Sequence, residues 1–97
     1  MKYRIELTDD AKEDLRWFRV NERKIILEGI KENLSYEPLV ETRNRKELRD
    51  NPLASWELRI RDYRVFYDVE QEDMVKVGVI GHKEHNLLYV RGKEVEL

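Results

Sequence analysis

The stretch "WELRIRDYRVFYDVE", Trp56 to Glu70, decides the fold. Trp56, Leu58 and Ile60 alternate with Glu57, Arg59 and Arg61. After Asp62, Tyr63, Val65, Tyr67 and Val69 alternate with Arg64, Phe66 and Asp68. A period of two over this length is the signature of half-buried strands, and so short a link between two of them implies a hairpin. Downstream, "VKVGVIG" continues the pattern, with Val75, Val77 and Val79 on one side and Lys76, Gly78 and Ile80 on the other. Short connections between the three segments predict an antiparallel meander.

Upstream the period changes. "YRIEL" alternates Tyr3, Ile5 and Leu7 with Arg4 and Glu6 and reads as a first strand. Thr8 stands where a helix N-cap belongs, with Asp9 and Asp10 suited to the first turn. Ala11, Leu15 and Phe18 then share one helical face, and the pattern breaks around Val20–Asn21. Ile26, Ile30 and Leu34 predict a second helix over 22–34, forming a hairpin with the first. From Ser35 to Pro52 periodicity fails, and a long connection with one helical turn near Lys46–Arg49 is expected. The tail "VRGKEVEL" supplies an edge strand. The expected architecture is α+β, βααβββ: a mostly antiparallel sheet with both helices on one face.

Ninety-seven residues suit a single domain over 1–97. The chain has no cysteine, which excludes disulfides and thiolate metal sites. It has no apolar run long enough to span a bilayer and no signal-peptide pattern, so a soluble cytoplasmic protein is expected. Charged residues make up 41% of the chain, yet the net charge is only −2. The charge is uneven: residues 42–64 carry 7 basic and 4 acidic side chains, whereas the flanking segments are net acidic. A domain-wide basic field is absent, and a local basic patch is left.

One-sided helical cover leaves the other sheet face open. By alternation that face carries Glu57, Arg59, Arg61, Arg64, Phe66 and Asp68. His82 is expected to continue the Lys76–Gly78–Ile80 side and to bring Lys83, His85 and Tyr89 to its rim. Arginines beside an aromatic suit a phosphate backbone with splayed bases. The plainer reading is a solvent face whose arginines pair with Glu57 and Asp68. Both histidines of the chain fall within "HKEH", residues 82–85. Two histidines without a third ligand are too few for zinc, so no metal is expected. They read either as surface residues or as proton-transfer groups titrating near neutrality.

With these segments in order, the chain resembles the RelE/ParE superfamily of toxins from type II toxin–antitoxin pairs. The resemblance is carried by "WELRIRDYRVFYDVE", by "VGVIGHKEHNLLY" and by the basic loop "TRNRKEL". It implies a metal-independent endoribonuclease that cuts mRNA on the ribosome, at the decoding site of the small subunit, with no cofactor. Carried over by position, Arg64 would hold the scissile phosphate, Lys83 falls where relatives often have arginine, and Tyr89 would take part in catalysis or orient the message. Arg59 and Arg61 match basic strand positions, and Arg43, Arg45 and Lys46 lie in the basic loop, all implied to contact RNA. His82 and His85 lie close by, and some relatives use a C-terminal histidine as acid or base. Glu57 departs from the best-studied branch, which is basic there; it would act as general base or mark lost activity. The ParE-like branch, which poisons DNA gyrase, and a repurposed binding module are the alternatives. In every toxin reading the implied partner is a small acidic antitoxin encoded next door, forming a toxin–antitoxin hetero-oligomer.

Overall fold

The computed structural model describes residues 1–97. The chain runs β1 (Arg4–Leu7), α1 (Asp9–Trp17), α2 (Val20–Leu34), β2 (Arg45–Glu47), β3 (Trp56–Ile60), β4 (Tyr63–Glu70), β5 (Met74–Glu84), β6 (Leu87–Val90) and β7 (Lys93–Val95). Thr8 caps α1 by accepting a hydrogen bond from Ala11 N at 3.1 Å. The helix ends because Phe18 and Arg19 are extended, at ψ 158° each. This break comes earlier than the sequence pattern predicts, so α2 begins at Val20 rather than Glu22. Arg19 offers no side-chain acceptor, and the Glu22 carboxylate reaches back to Arg19 N at 3.1 Å instead.

The sheet path is β2-β3-β4-β5-β6-β7, antiparallel throughout, with β1 parallel to β5 off that path. Strand β5 organises the molecule. β4 pairs along one of its edges. The other edge takes β1 from Met74 to Val77 and β6 from His82 to Glu84. Between those partners β5 would leave polar backbone unpaired, and α1 supplies what is missing. Thr8 Oγ1 donates to Gly78 O at 3.3 Å, and Asp14 Oδ2 accepts from Ile80 N at 3.0 Å. Asp14, 2% exposed, is in turn held by Arg91 Nε at 2.7 Å.

The main core lies between helices and sheet. Ala11, Phe18, Ile26, Ile30 and Leu34 meet Trp56, Leu58, Val65, Tyr67, Val75, Val77 and Ile80. Close packing of α2 on β3 depends on Gly29, where a Cβ would lie 2.5 Å from Ile60 Cδ1. Tyr67 Oη donates to Pro38 O at 2.6 Å and pins the connection after α2.

Three expectations change here. The segment near Lys46–Arg49 is no helical turn: residues 45–47 form the edge strand β2, paired with Leu58 to Trp56. The tail supplies the edge strand β7 as expected, but a further strand not foreseen, β6, precedes it, and the two are joined through Arg91 and Gly92 at φ 50° and 77°. Third, Phe66 pairs with Val79 but Tyr67 pairs with Val77, so Gly78 is the extra residue of a β-bulge. Beyond it the alternation inverts: Ile80 turns into the core, and Val79 joins Phe66 on the other face.

That other face is not open as expected. Phe66 is 0%, Glu57 2% and Leu88 4% exposed, although Phe66 and Leu88 lie outside the main core. The reason is curvature. Leu97, beyond the last strand, lines one depression with Lys46, Glu47 and Leu48 at the opposite end of the sheet path. The sheet curls until its ends approach, and its concave face becomes a second interior.

Candidate functional site

Two registers fix what the concave face presents. Arg59 pairs with Arg64, and Arg64 with Gly81. Glu57 and Lys83 lie two residues from Arg59 and Gly81 and share that face. Four of the expected residues, Glu57, Arg59, Arg64 and Lys83, thus come together. Arg59 Nε donates to Glu57 Oε1 at 3.0 Å. Arg64 Nη1 donates to the carbonyls of Arg61 at 2.8 Å and Tyr63 at 2.9 Å. Its Nε is buried without a partner. Burial pulls the Arg64 guanidinium below its ordinary value, against the opposing pull of the Glu57 carboxylate. A half-buried guanidinium with an unused, enclosed donor, beside a second arginine and one carboxylate, has the chemistry to bind an oxyanion once the face opens.

The remaining candidates are placed differently. His82 pairs with Tyr63 and Tyr89 on the helix-facing side, because the Gly78 bulge has inverted the faces. Its ring stacks between Trp17, at 5.4 Å and 11°, and Tyr89, at 5.6 Å and 22°. Neither His82 nor Tyr89 therefore stands on the Arg64 face as expected. His85 sits at φ 51° in the exposed β5–β6 turn, away from both. Arg61 occupies the β3–β4 turn at φ 54°. Arg43 and Lys46 are exposed. Arg45 is engaged by the chain itself, donating to Val40 O at 2.9 Å and Asn33 O at 2.7 Å.

On the far side of the β3–β4 turn lies a cleft of about 560 Å³, between the start of α2 and the end of β5. Trp17, Arg19, Asn21 and Glu22 form one wall; Arg61, Asp62, Lys83 and Glu84 form the other. Tyr63 Oη donates to Glu22 Oε2 at 2.9 Å across it. The Arg19 N–H and the Tyr63 hydroxyl hold the Glu22 carboxyl below its ordinary range. Burial first, then Glu22, pushes the Tyr63 hydroxyl up. The helix residues of this cleft were not expected. The only trace of them in the sequence is Trp17, an aromatic off the Ala11–Leu15–Phe18 face. No group of three His, Cys, Asp or Glu side chains is placed to hold a metal ion. No helix is long and apolar enough to cross a membrane.

Comparison with known proteins adds to this geometry. The family model for the ParE toxin of type II toxin–antitoxin systems, parDE, matches residues 5–87. The fold is similar to that in the toxin–antitoxin complex RelBE2 from Mycobacterium tuberculosis, at 26% identity and TM-score 0.71, over 86% of this chain and 100% of that one. It is also similar to that in the archaeal RelE–RelB complex from Pyrococcus horikoshii OT3, at 23% identity and TM-score 0.67, over 88% of this chain and 99% of that one. None of the curated proteins matches.

Proposed function

The chain belongs to the ParE toxin family of type II toxin–antitoxin systems, within the RelE/ParE superfamily, and from that premise we propose that it is a metal-independent endoribonuclease acting on mRNA at the ribosomal decoding site. The observation that carries this reading is the Arg64 guanidinium, half-buried, with an unpartnered Nε beside Arg59, Glu57 and Lys83. In the proposed reaction a ribose 2′-oxygen attacks the adjacent phosphorus and the bond to the 5′-oxygen breaks. Glu57 takes the 2′-hydroxyl proton. Arg64 and Arg59 stabilise the charge that develops on the phosphorane, where preorganised donors act most strongly. Lys83 returns a proton to the departing 5′-oxygen. Glu57 is 2% exposed, so the enclosed face has to open before RNA reaches it. His82 and Tyr89 stand on the other side of the sheet and take no part in these steps, and His85 lies in the exposed β5–β6 turn.

The proposed partner is a small acidic antitoxin encoded by an adjacent gene. The similar solved structures are toxin–antitoxin complexes. Leu39 and Val40, just before the cationic segment, are 50% and 48% exposed and suit an apolar contact beside it. A second reading, a ParE-like poison of DNA gyrase, is favoured by the description of the matching family and by the separation of Tyr89 from Arg64.

Inducible expression with mapping of transcript ends tests the two. Growth arrest with cut messages is expected, and Arg64→Ala abolishes both while the protein still folds. Arrest with intact messages and a DNA-damage response would transfer the chain to the gyrase reading. An Arg64→Ala variant as toxic as the parent would remove Arg64 from the site.

A further inference from the structure

The cleft beyond the β3–β4 turn takes no part in the arginine chemistry, yet it is built against it. Lys83 N donates to Asp62 O at 2.8 Å, and Arg64 Nη1 donates to Arg61 O at 2.8 Å. A single two-residue turn therefore separates the cleft from the Arg64 cluster. Lys83 belongs to both: it shares the face of Arg64 and lines the cleft.

We propose that this cleft is a nucleotide subsite, holding one unstacked nucleotide of a single-stranded RNA whose neighbouring phosphate reaches Arg64. The inference rests on the nuclease reading and names a second contact for the same substrate. About 560 Å³ lies within the range of small-ligand pockets. Trp17 stands at its rim, one side packed on Phe18 and His82 and 49% of its surface still in water. Exposed aromatics beside cations are how single strands are held, because every base has a face to stack.

Arg19 and Arg61 line the cleft and make no ion pair within the chain, and Lys83 borders it from the Arg64 face. Arg61 holds a left-handed backbone, φ 54°, that is uncommon for a long side chain. His82 Nδ1 is buried without a hydrogen-bond partner. The three cations are matched in number by Glu22, Asp62 and Glu84. The cleft is therefore no general polyanion patch. Glu22 is already engaged by Tyr63 and by Arg19 N. Asp62 remains to accept from base amines or ribose hydroxyls, and Glu84, whose Oε1 lies 3.8 Å from His82 Nε2, keeps its second oxygen for the same role. Stacking and directed hydrogen bonds, rather than net field, select the occupant.

The test uses the full chain and a short single-stranded oligoribonucleotide methylated at every 2′-oxygen, which cannot be cut by 2′-oxygen attack. Trp17 emission is followed during titration, with Trp56, 6% exposed, as the constant background. Saturable quenching is expected, and Arg64→Ala keeps it at saturating RNA. By anisotropy of labelled RNA, Trp17→Ala and the surface variant Arg19→Glu each bind about tenfold more weakly, the scale of one lost base stack or phosphate contact. Trp17→Phe, which keeps an aromatic face, stays within about threefold. RNA that binds with Trp17 emission and both affinities unchanged overturns the subsite. So does an acidic peptide that quenches Trp17 where RNA does not. The two readings fail separately: cleavage with a silent Trp17 removes the subsite alone, and quenching without cleavage of unmodified RNA removes the nuclease alone.

Discussion

At the scale of single residues, two buried polar groups hold more than their neighbours do. Tyr67 is fully buried, and its hydroxyl satisfies Pro38 O. Burial pushes that hydroxyl well above its ordinary value. A raised folded-state value stabilises the protein below the unfolded value, about pH 10, and this contribution is lost as pH rises beyond it. Tyr67→Phe is expected to cost about 1–2 kcal/mol near neutrality, because the Pro38 carbonyl is left unpaired. The variant also loses less stability than the parent on going to alkaline pH, as urea midpoints across the range will register. The second group is Asp14, which accepts from Ile80 N and from Arg91 Nε. Asp14→Ala orphans a buried N–H and frees the β6–β7 turn. A loss of at least about 1–3 kcal/mol follows. If thermal melting is unchanged, water serves that N–H as well as the carboxylate does.

At the scale of elements, the contact of α2 with β3 is set by the absence of a side chain. Gly29→Ala improves intrinsic helix propensity by about 1 kcal/mol. Its Cβ nevertheless meets Ile60 at 2.5 Å from Cδ1 and 2.8 Å from Cγ1. Overpacking of this kind costs about 1–3 kcal/mol, so the net effect is destabilising. Shortening the opposing chain with Ile60→Val in the same protein is expected to restore part of the loss. A melting temperature for Gly29→Ala above that of the parent would show that α2 can shift outward freely. Gly81 is less forgiving, because a Cβ there would lie 2.4 Å from the backbone oxygen of Tyr89. Each of these two glycines marks a place where two backbones, or a backbone and a core side chain, approach too closely for a methyl group.

At the scale of the whole molecule, charge and curvature act together. The net charge is −2, yet residues 42–64 carry an excess of 3 positive charges. An acidic partner meets attraction there and repulsion from most of the remaining surface. Association with an acidic antitoxin is expected to slow as salt rises, because screening removes the long-range steering. Stopped-flow association rates at two ionic strengths check this, and a rate insensitive to salt would place the contact on the apolar residues alone. Curvature decides access. The arginine cluster lies inside the curl while the Trp17 cleft lies outside it, so a single strand of RNA would have to wrap the β3–β4 turn to touch both.

Sequence by itself determined most of the elements, though not β2 or β6. Alternation in Trp56–Val69 made two strands, Thr8 and the spacing of Ala11, Leu15 and Phe18 made a capped helix, and the order of motifs identified the superfamily. These are local properties, set by side-chain period and by hydrogen bonds a few residues apart. It also brought Glu57, Arg59, Arg64 and Lys83 into one list that the fold keeps together. Tertiary structure alone decided on which face His82 and Tyr89 stand. One extra residue at Gly78 reverses every later side chain in β5, and a bulge is invisible to a pattern in which valine follows valine on either side of it. Tertiary structure also decided that the arginine face is enclosed and that Trp17 joins Arg61 and Lys83 in a cleft. Both follow from how the sheet curls and how α1 turns into α2, through contacts between residues far apart in the chain, which no local period records.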